Sequence, residues 1–145
     1  MDMENLIARA KLARLKAYVP YSKFKVGAAL LTKKGKIFTG CNVENASLSL
    51  SICAERVALF KAVSEGEKEF LAIAIVSEDK FCPPCGSCRQ VLSEFGLKTK
   101  VIMADLEGRY EVKTIKELLP QGFKRRSSVI SHRSSVRSGK LKVRS

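Results

Sequence analysis

Apolar residues near the start of the chain recur at Met3, Leu6, Ile7, Ala10, Ala13 and Ala17, with Arg9, Lys11, Arg14 and Lys16 between them. That spacing follows the 3.6-residue period and predicts an amphipathic helix over 3–17. Pro20 breaks it, because proline lacks the amide hydrogen that a helix interior needs. Phe24 to Leu31 then form a β-rich apolar run. Lys33-Lys34-Gly35-Lys36 reads as a turn and Ile37 to Cys41 as the returning strand of a hairpin.

Ser51 is expected to cap a second helix through Glu55, Val57, Ala58, Leu59, Ala62 and Val63 that stops near Gly66. Leu71 to Val76 is unbroken by polar residues, the mark of a strand buried on both faces. After Pro83-Pro84, a third helix is expected from about Cys85 to Phe95, with Gly96 beyond its end. Lys100 to Ala104 reads as another strand. Glu107 to Tyr110 reads as a turn, followed by a short strand and a brief helix from Thr114 to Leu119. This order implies an α/β fold, a mixed sheet covered by helices. From Lys124 onward Ser, Arg and Lys dominate, and that composition predicts no regular structure. The expected division is a compact domain over 1–123 and a basic tail over 124–145.

Composition changes this picture in two respects. The 145 residues carry a formal charge of +13, which suggests a polyanion partner until the charge is located. With +8 of the +13 in residues 124–145, the body holds only +5. Any nucleic-acid contact is therefore expected through the tail alone. The longest apolar runs are far too short to cross a bilayer, and the N-terminus has no basic region followed by an apolar stretch. A soluble cytoplasmic protein is expected. Five cysteines are present, three of them crowded at Cys82, Cys85 and Cys88. That spacing suits a reduced metal site better than a disulfide framework.

Cys53-Ala54-Glu55-Arg56 and Pro84-Cys85-Gly86-Ser87-Cys88 each fall at a predicted helix start. Unpaired N–H groups and the helix dipole there favour the thiolate, the form that binds zinc. Cys53, Cys85 and Cys88 as ligands leave a fourth tetrahedral position open, as in a catalytic site. Three thiolates give zinc a net negative charge, and Arg56 is placed to offset it by donating to sulfur. Glu55 is then free to move protons. An iron–sulfur cluster is disfavoured because Leu92 and Ser93 stand where a fourth cysteine and a proline belong. His132, the only histidine, lies in the tail and makes a poor base for a cysteine nucleophile. Cys41 is expected to be a buried small hydrophobe and Cys82 a residue beside the site.

These motifs match the zinc-deaminase signature in its three-cysteine form. With Tyr18-Val19-Pro20-Tyr21-Ser22, Phe24 to Ala28, Gly40 to Ser47, Arg89 to Leu92 and Leu118 to Phe123, the chain resembles the cytidine deaminase family in its small homotetrameric branch. The resemblance covers about residues 1–123. It implies a three-layer α/β/α sandwich around a five-stranded mixed sheet, one zinc per chain, and sites between subunits of a homotetramer. It also implies hydrolytic deamination at C4 of cytosine in cytidine or deoxycytidine, a pyrimidine-salvage reaction. In that reading Asn42 and Glu44 bind the ribose hydroxyls, Phe24 lies beside the base, Ala54 offers backbone contacts to it, and Phe123 enters a neighbour's pocket. Leu48-Ser49 departs from the family's usual Tyr-Gly.

Three rival expectations are a deaminase of modified cytosine nucleosides, a deaminase of cytosine in polynucleotide, and a structural-zinc module that binds nucleic acid through the tail.

Overall fold

The computed structural model describes residues 1–125. Of the expected tail over 124–145, only Lys124 and Arg125 are described, and they form no regular element; the rest lies outside the described residues. The elements are α1 (Met3–Arg14), β1 (Val26–Thr32), β2 (Ile37–Cys41), a 3-10 turn (Leu48–Leu50), α2 (Ala54–Ser64), β3 (Phe70–Ser77), α3 (Gly86–Ser93), β4 (Lys100–Ala104), β5 (Tyr110–Thr114) and α4 (Ile115–Leu118).

The five strands form one mixed sheet in the order β2-β1-β3-β4-β5. β3 and β4 run parallel, with Ile73 opposite Val101 and Ile75 opposite Met103, and the other neighbours pair antiparallel. α3 makes the crossover between the parallel pair, as a parallel connection requires. β3 is central and almost wholly buried, which explains its unbroken apolar run.

Strand alternation sends side chains to two separate cores. On one face Leu6, Ile7 and Ala10 of α1 pack on Ala29, Ala72, Ala74, Val76, Ile102 and Ala104. On the other, Ala58, Leu59 and Ala62 of α2, Leu92 of α3 and Ile115 of α4 cover Ala28, Leu30, Ile73, Ile75, Val101 and Met103. The architecture is therefore an α/β/α sandwich around a five-stranded mixed sheet, as expected. Each fully buried Leu or Ile contributes about 1.5–3 kcal/mol by leaving water. Two glycines let the helices approach the sheet: a Cβ on Gly27 would lie 2.0 Å from the Ala10 carbonyl oxygen, and one on Gly40 2.5 Å from the Ala54 carbonyl oxygen.

Several boundaries differ from expectation. α1 is capped by Asp2, whose carboxylate accepts from the Asn5 amide at 3.0 Å. It ends at Arg14 rather than residue 17, because Leu15, Lys16 and Ala17 turn with tighter backbone bonds to Leu12, Ala13 and Arg14. β1 begins at Val26, so Phe24 lies in the segment before the strand. Ser51 does not cap α2; its hydroxyl accepts from the Asn45 amide at 3.0 Å, and Cys53 occupies the cap position without a side-chain cap bond. α3 ends at Ser93, and Gly96 follows with φ 141°. α4 starts with a capping box between Thr114 and Glu117. Among the described residues no helix is long and apolar enough to cross a membrane.

Candidate metal centre

α2 and α3 both begin next to a cysteine that stands at the cap position, Cys53 and Cys85. Neither thiol caps its own helix; both sulfurs turn toward a common point. Cys85 Sγ lies 3.8 Å from Cys53 Sγ and 3.5 Å from Cys88 Sγ, and all three sulfurs fall within 4.8 Å of one another. Tetrahedral zinc with Zn–S bonds of about 2.3 Å sets neighbouring sulfurs about 3.8 Å apart. The donor set fits zinc in number, chemistry and spacing. Cys88 is buried, Cys53 half-buried and Cys85 exposed, so the cluster opens to solvent on one side.

The surroundings favour negative charge on sulfur. Arg56, in the first turn of α2, reaches Cys53 Sγ with Nη2 at 3.5 Å. The Cys53 thiol is pulled down to about 5 by the hydrogen bond from Cys88, with Arg56 and Cys85 adding to the effect against burial. Cys88, as the donor to that thiolate, is pushed well above the usual thiol range. The Arg56 guanidinium is held charged by Cys53, while its buried Nε has no hydrogen-bond partner among the described residues.

Glu55 is 5% exposed. Its carboxyl is pushed up to about 7, chiefly by burial and further by the Cys53 thiolate, while Arg56 pulls the other way. The two-residue separation of Cys53 and Glu55 causes no conflict, because Cys53 precedes the first helical residue and Glu55 stands within the first turn. Ala54 between them is fully buried.

Asn42 and Glu44 lie on a segment tied to the same centre. Val43 between them pairs with Ile52, amide to carbonyl at 3.0 and 2.9 Å, one residue before Cys53. The Asn42 amide is half used: its oxygen accepts from the Val26 amide at 2.9 Å and its nitrogen donates to the Phe24 carbonyl at 2.8 Å. Glu44 accepts from the Tyr21 and Ser22 amides at 3.1 Å and from the Ser22 hydroxyl. These bonds hold its carboxyl below the ordinary range, the Ser22 hydroxyl first among them. Half-buried Phe24 is thereby fastened through its backbone to Asn42 and Ser22. Lys23 between Ser22 and Phe24 has φ 61°, a left-handed conformation that marks the bend.

Phe123 is 72% exposed, and its backbone is held by Gln90 on α3, which donates to its carbonyl at 2.9 Å and accepts from its amide at 3.0 Å. Cys82 is half-buried, with its thiol pushed up by burial and by the nearby Glu55 charge. Cys41 is half-buried rather than buried. It lines a groove of about 290 Å³ between α1, β2 and α2 that none of the expected site residues shares. The sequence assigns no role to Ser22, Arg89 or Gln90. The signal for the latter two was their position, two polar residues directly after Cys88 at the start of a helix.

Residues 1–104 match the family described as the cytidine and deoxycytidylate deaminase zinc-binding region. A cytidine deaminase of Halalkalibacterium halodurans is 53% identical over 125 residues, covering 85% of this chain and 95% of that protein. One from Sporosarcina psychrophila is 51% identical over 125 residues, covering 85% and 92%. The crystal structure of cytidine deaminase from Burkholderia pseudomallei superposes with a TM-score of 0.82 at 51% identity, covering 85% of this chain and all of that one. With the fold and the three-sulfur centre in place, the chain belongs to the zinc-dependent cytidine and deoxycytidylate deaminase family.

Proposed function

We propose that this chain deaminates free cytosine nucleosides by hydrolysis, converting cytidine and deoxycytidine to uridine and deoxyuridine with release of ammonia, in pyrimidine salvage in the cytoplasm. The observation that carries the reading is a buried carboxyl, Glu55, beside three convergent cysteine sulfurs. The names of the relatives at 51% and 53% identity support the substrate class.

Zinc held by Cys53, Cys85 and Cys88 would supply the Lewis acidity that makes water a nucleophile at neutral pH. Glu55 handles the protons. Addition of water at C4 leaves an electron pair on N3, so a proton must reach N3. Departure of the 4-amino group as ammonia takes another. One water enters, one ammonia leaves, and Glu55 ends each cycle in the state in which it began. A carboxyl raised to about 7 by burial accepts and returns a proton near neutral pH without a large penalty in either direction.

Asn42 and Glu44 are assigned to the ribose hydroxyls. Each retains capacity after its contacts within the chain: an amide hydrogen and an oxygen lone pair on Asn42, and a lone pair on Glu44. Phe24 is assigned to the face of the base, Ala54 to its polar edge through the backbone, and Arg56 to charge balance at Cys53. Phe123 is assigned to a neighbouring subunit's pocket in a homotetramer. Its exposure, with that of Leu48, Leu50 and Phe60, supports self-association.

The deciding comparison is turnover of cytidine and deoxycytidine against a single-stranded oligonucleotide containing cytosine. The proposal expects ammonia from the nucleosides and none from the oligonucleotide. Deamination of the oligonucleotide with inert nucleosides would overturn it.

A further inference from the structure

Arg89 follows Cys88 directly and stands four residues after Cys85 on α3. Its guanidinium bonds in two directions: Nε donates to the Pro84 carbonyl at 2.8 Å and Nη1 to the Leu118 carbonyl of α4 at 2.9 Å. Its backbone amide donates to the Cys85 carbonyl at 3.0 Å. Pro83 and Pro84 bring no amide hydrogens to the loop that carries Cys85. The peptide entering Cys85 is fastened through its carbonyl, the Pro84 oxygen that accepts from Arg89 Nε. Pro84 is fully buried, so losing that bond would strand an acceptor.

The far end of the guanidinium rests on a fixed point. α4 is held by buried Ile115, by the Thr114–Glu117 capping box, and by bonds from the Ile115 and Lys116 amides to the Thr99 and Leu97 carbonyls at 3.0 and 2.9 Å. Cys85 needs such support more than its companions. Cys88 is buried inside α3 and Cys53 bonds directly to Arg56, whereas Cys85 is exposed and, among the described residues, its sulfur bonds to the two other sulfurs alone.

We propose that Arg89 is a positioning residue for the metal centre: by tying the Pro84 carbonyl to α4 it aims the Cys85 sulfur and so governs how long the three cysteines retain zinc. The inference rests on the three-cysteine zinc reading. Gln90 supplies an internal comparison. It makes two hydrogen bonds from the same helix to the same C-terminal segment, at Phe123, and none to residues 82–85 among the described residues. The fit there is close, since a Cβ on Gly122 would lie 2.7 Å from Leu119 Cδ2.

The test mixes zinc-loaded protein with an excess of chelating dye and follows zinc transfer in wild type, Arg89→Lys, Arg89→Met and Gln90→Leu. Loss of a partner that orients a ligand costs about 10- to 100-fold in metal retention, so Arg89→Met should release zinc faster by about that factor. Arg89→Lys should fall between, because an ammonium lacks the fork that spans two carbonyls. Gln90→Leu should stay within about twofold of wild type, since it leaves the Pro84 bond intact. Equal rates for wild type and Arg89→Met overturn the proposal. Release from Gln90→Leu as fast as from Arg89→Met also overturns it, by assigning the effect to a loosened C-terminal segment. Should Arg89→Met fail to fold, Arg89→Lys against Gln90→Leu decides by the same criteria. Wild type that binds no zinc removes the metal reading itself, whereas the order of rates among zinc-loaded variants bears on Arg89 alone.

Discussion

Replacing Gly40 with alanine tests whether the sheet sets the position of the first turn of α2, which carries Ala54 and Glu55. The added Cβ would lie 2.5 Å from the Ala54 carbonyl oxygen, 2.7 Å from the Ala58 nitrogen and 3.0 Å from Val57 Cβ. The first two are backbone atoms of α2, so no rotamer change relieves the clash. Carbon contacts relax near about 3.5 Å, which asks α2 to retreat from β2 by about 1 Å. Overpacking of this kind costs about 1–3 kcal/mol of stability. The same displacement carries Ala54 and Glu55, and a misplacement of about 1 Å costs about 100-fold in rate. Gly27→Ala is the matched control. Its Cβ would lie 2.0 Å from the Ala10 oxygen and 2.5 Å from the Arg14 nitrogen, pushing α1, which bears no proposed site residue. Urea unfolding and kcat on cytidine per bound zinc should show both variants destabilised, with only Gly40→Ala losing turnover. If Gly40→Ala loses stability but keeps wild-type kcat per zinc, the edge strand yields instead of α2 and the reasoning is wrong.

Glu55→Gln should keep zinc and fold while losing about 100- to 10,000-fold in turnover, because an amide cannot carry the proton; near-normal activity with zinc bound would remove Glu55 from its role. Leu48 is 70% exposed on its 3-10 turn, where a tyrosine would add a hydrogen-bonding group. A contact worth about 0.5–1.5 kcal/mol lowers KM for cytidine about 2- to 10-fold in Leu48→Tyr with kcat unchanged. An equal gain for 5′-deoxycytidine would show that residue 48 does not face the 5′-hydroxyl.

The unbroken apolar run of β3 and the Lys100–Ala104 strand can be read directly, because these segments lie inside the sheet and their burial is continuous. The three sulfurs and Glu55 were legible for a related reason: metal chemistry restricts residue type and spacing tightly. Ser51 misled, since hydroxyls are strong caps and a thiol is a weak one, yet here the cap position belongs to Cys53, whose sulfur faces the cluster. The partners of Asn42 and Glu44 could not be read. They depend on residues 16 to 23 positions away whose approach is fixed only by the hairpin and by the pairing of Val43 with both Tyr18 and Ile52. The same holds for Arg89, whose contact with Leu118 spans 29 residues.

The central claim is that Cys53, Cys85 and Cys88 together hold one zinc that makes this chain a nucleoside deaminase. It is tested most directly by measuring zinc per chain and ammonia released from cytidine on the same samples of wild type, Cys82→Ser and Cys85→Ser, before and after metal stripping. About one zinc and full turnover are expected in wild type and Cys82→Ser, loss of both in Cys85→Ser, and recovery of stripped wild type on adding zinc. Ammonia release that survives metal stripping, or equal loss of zinc in the two variants, would contradict it.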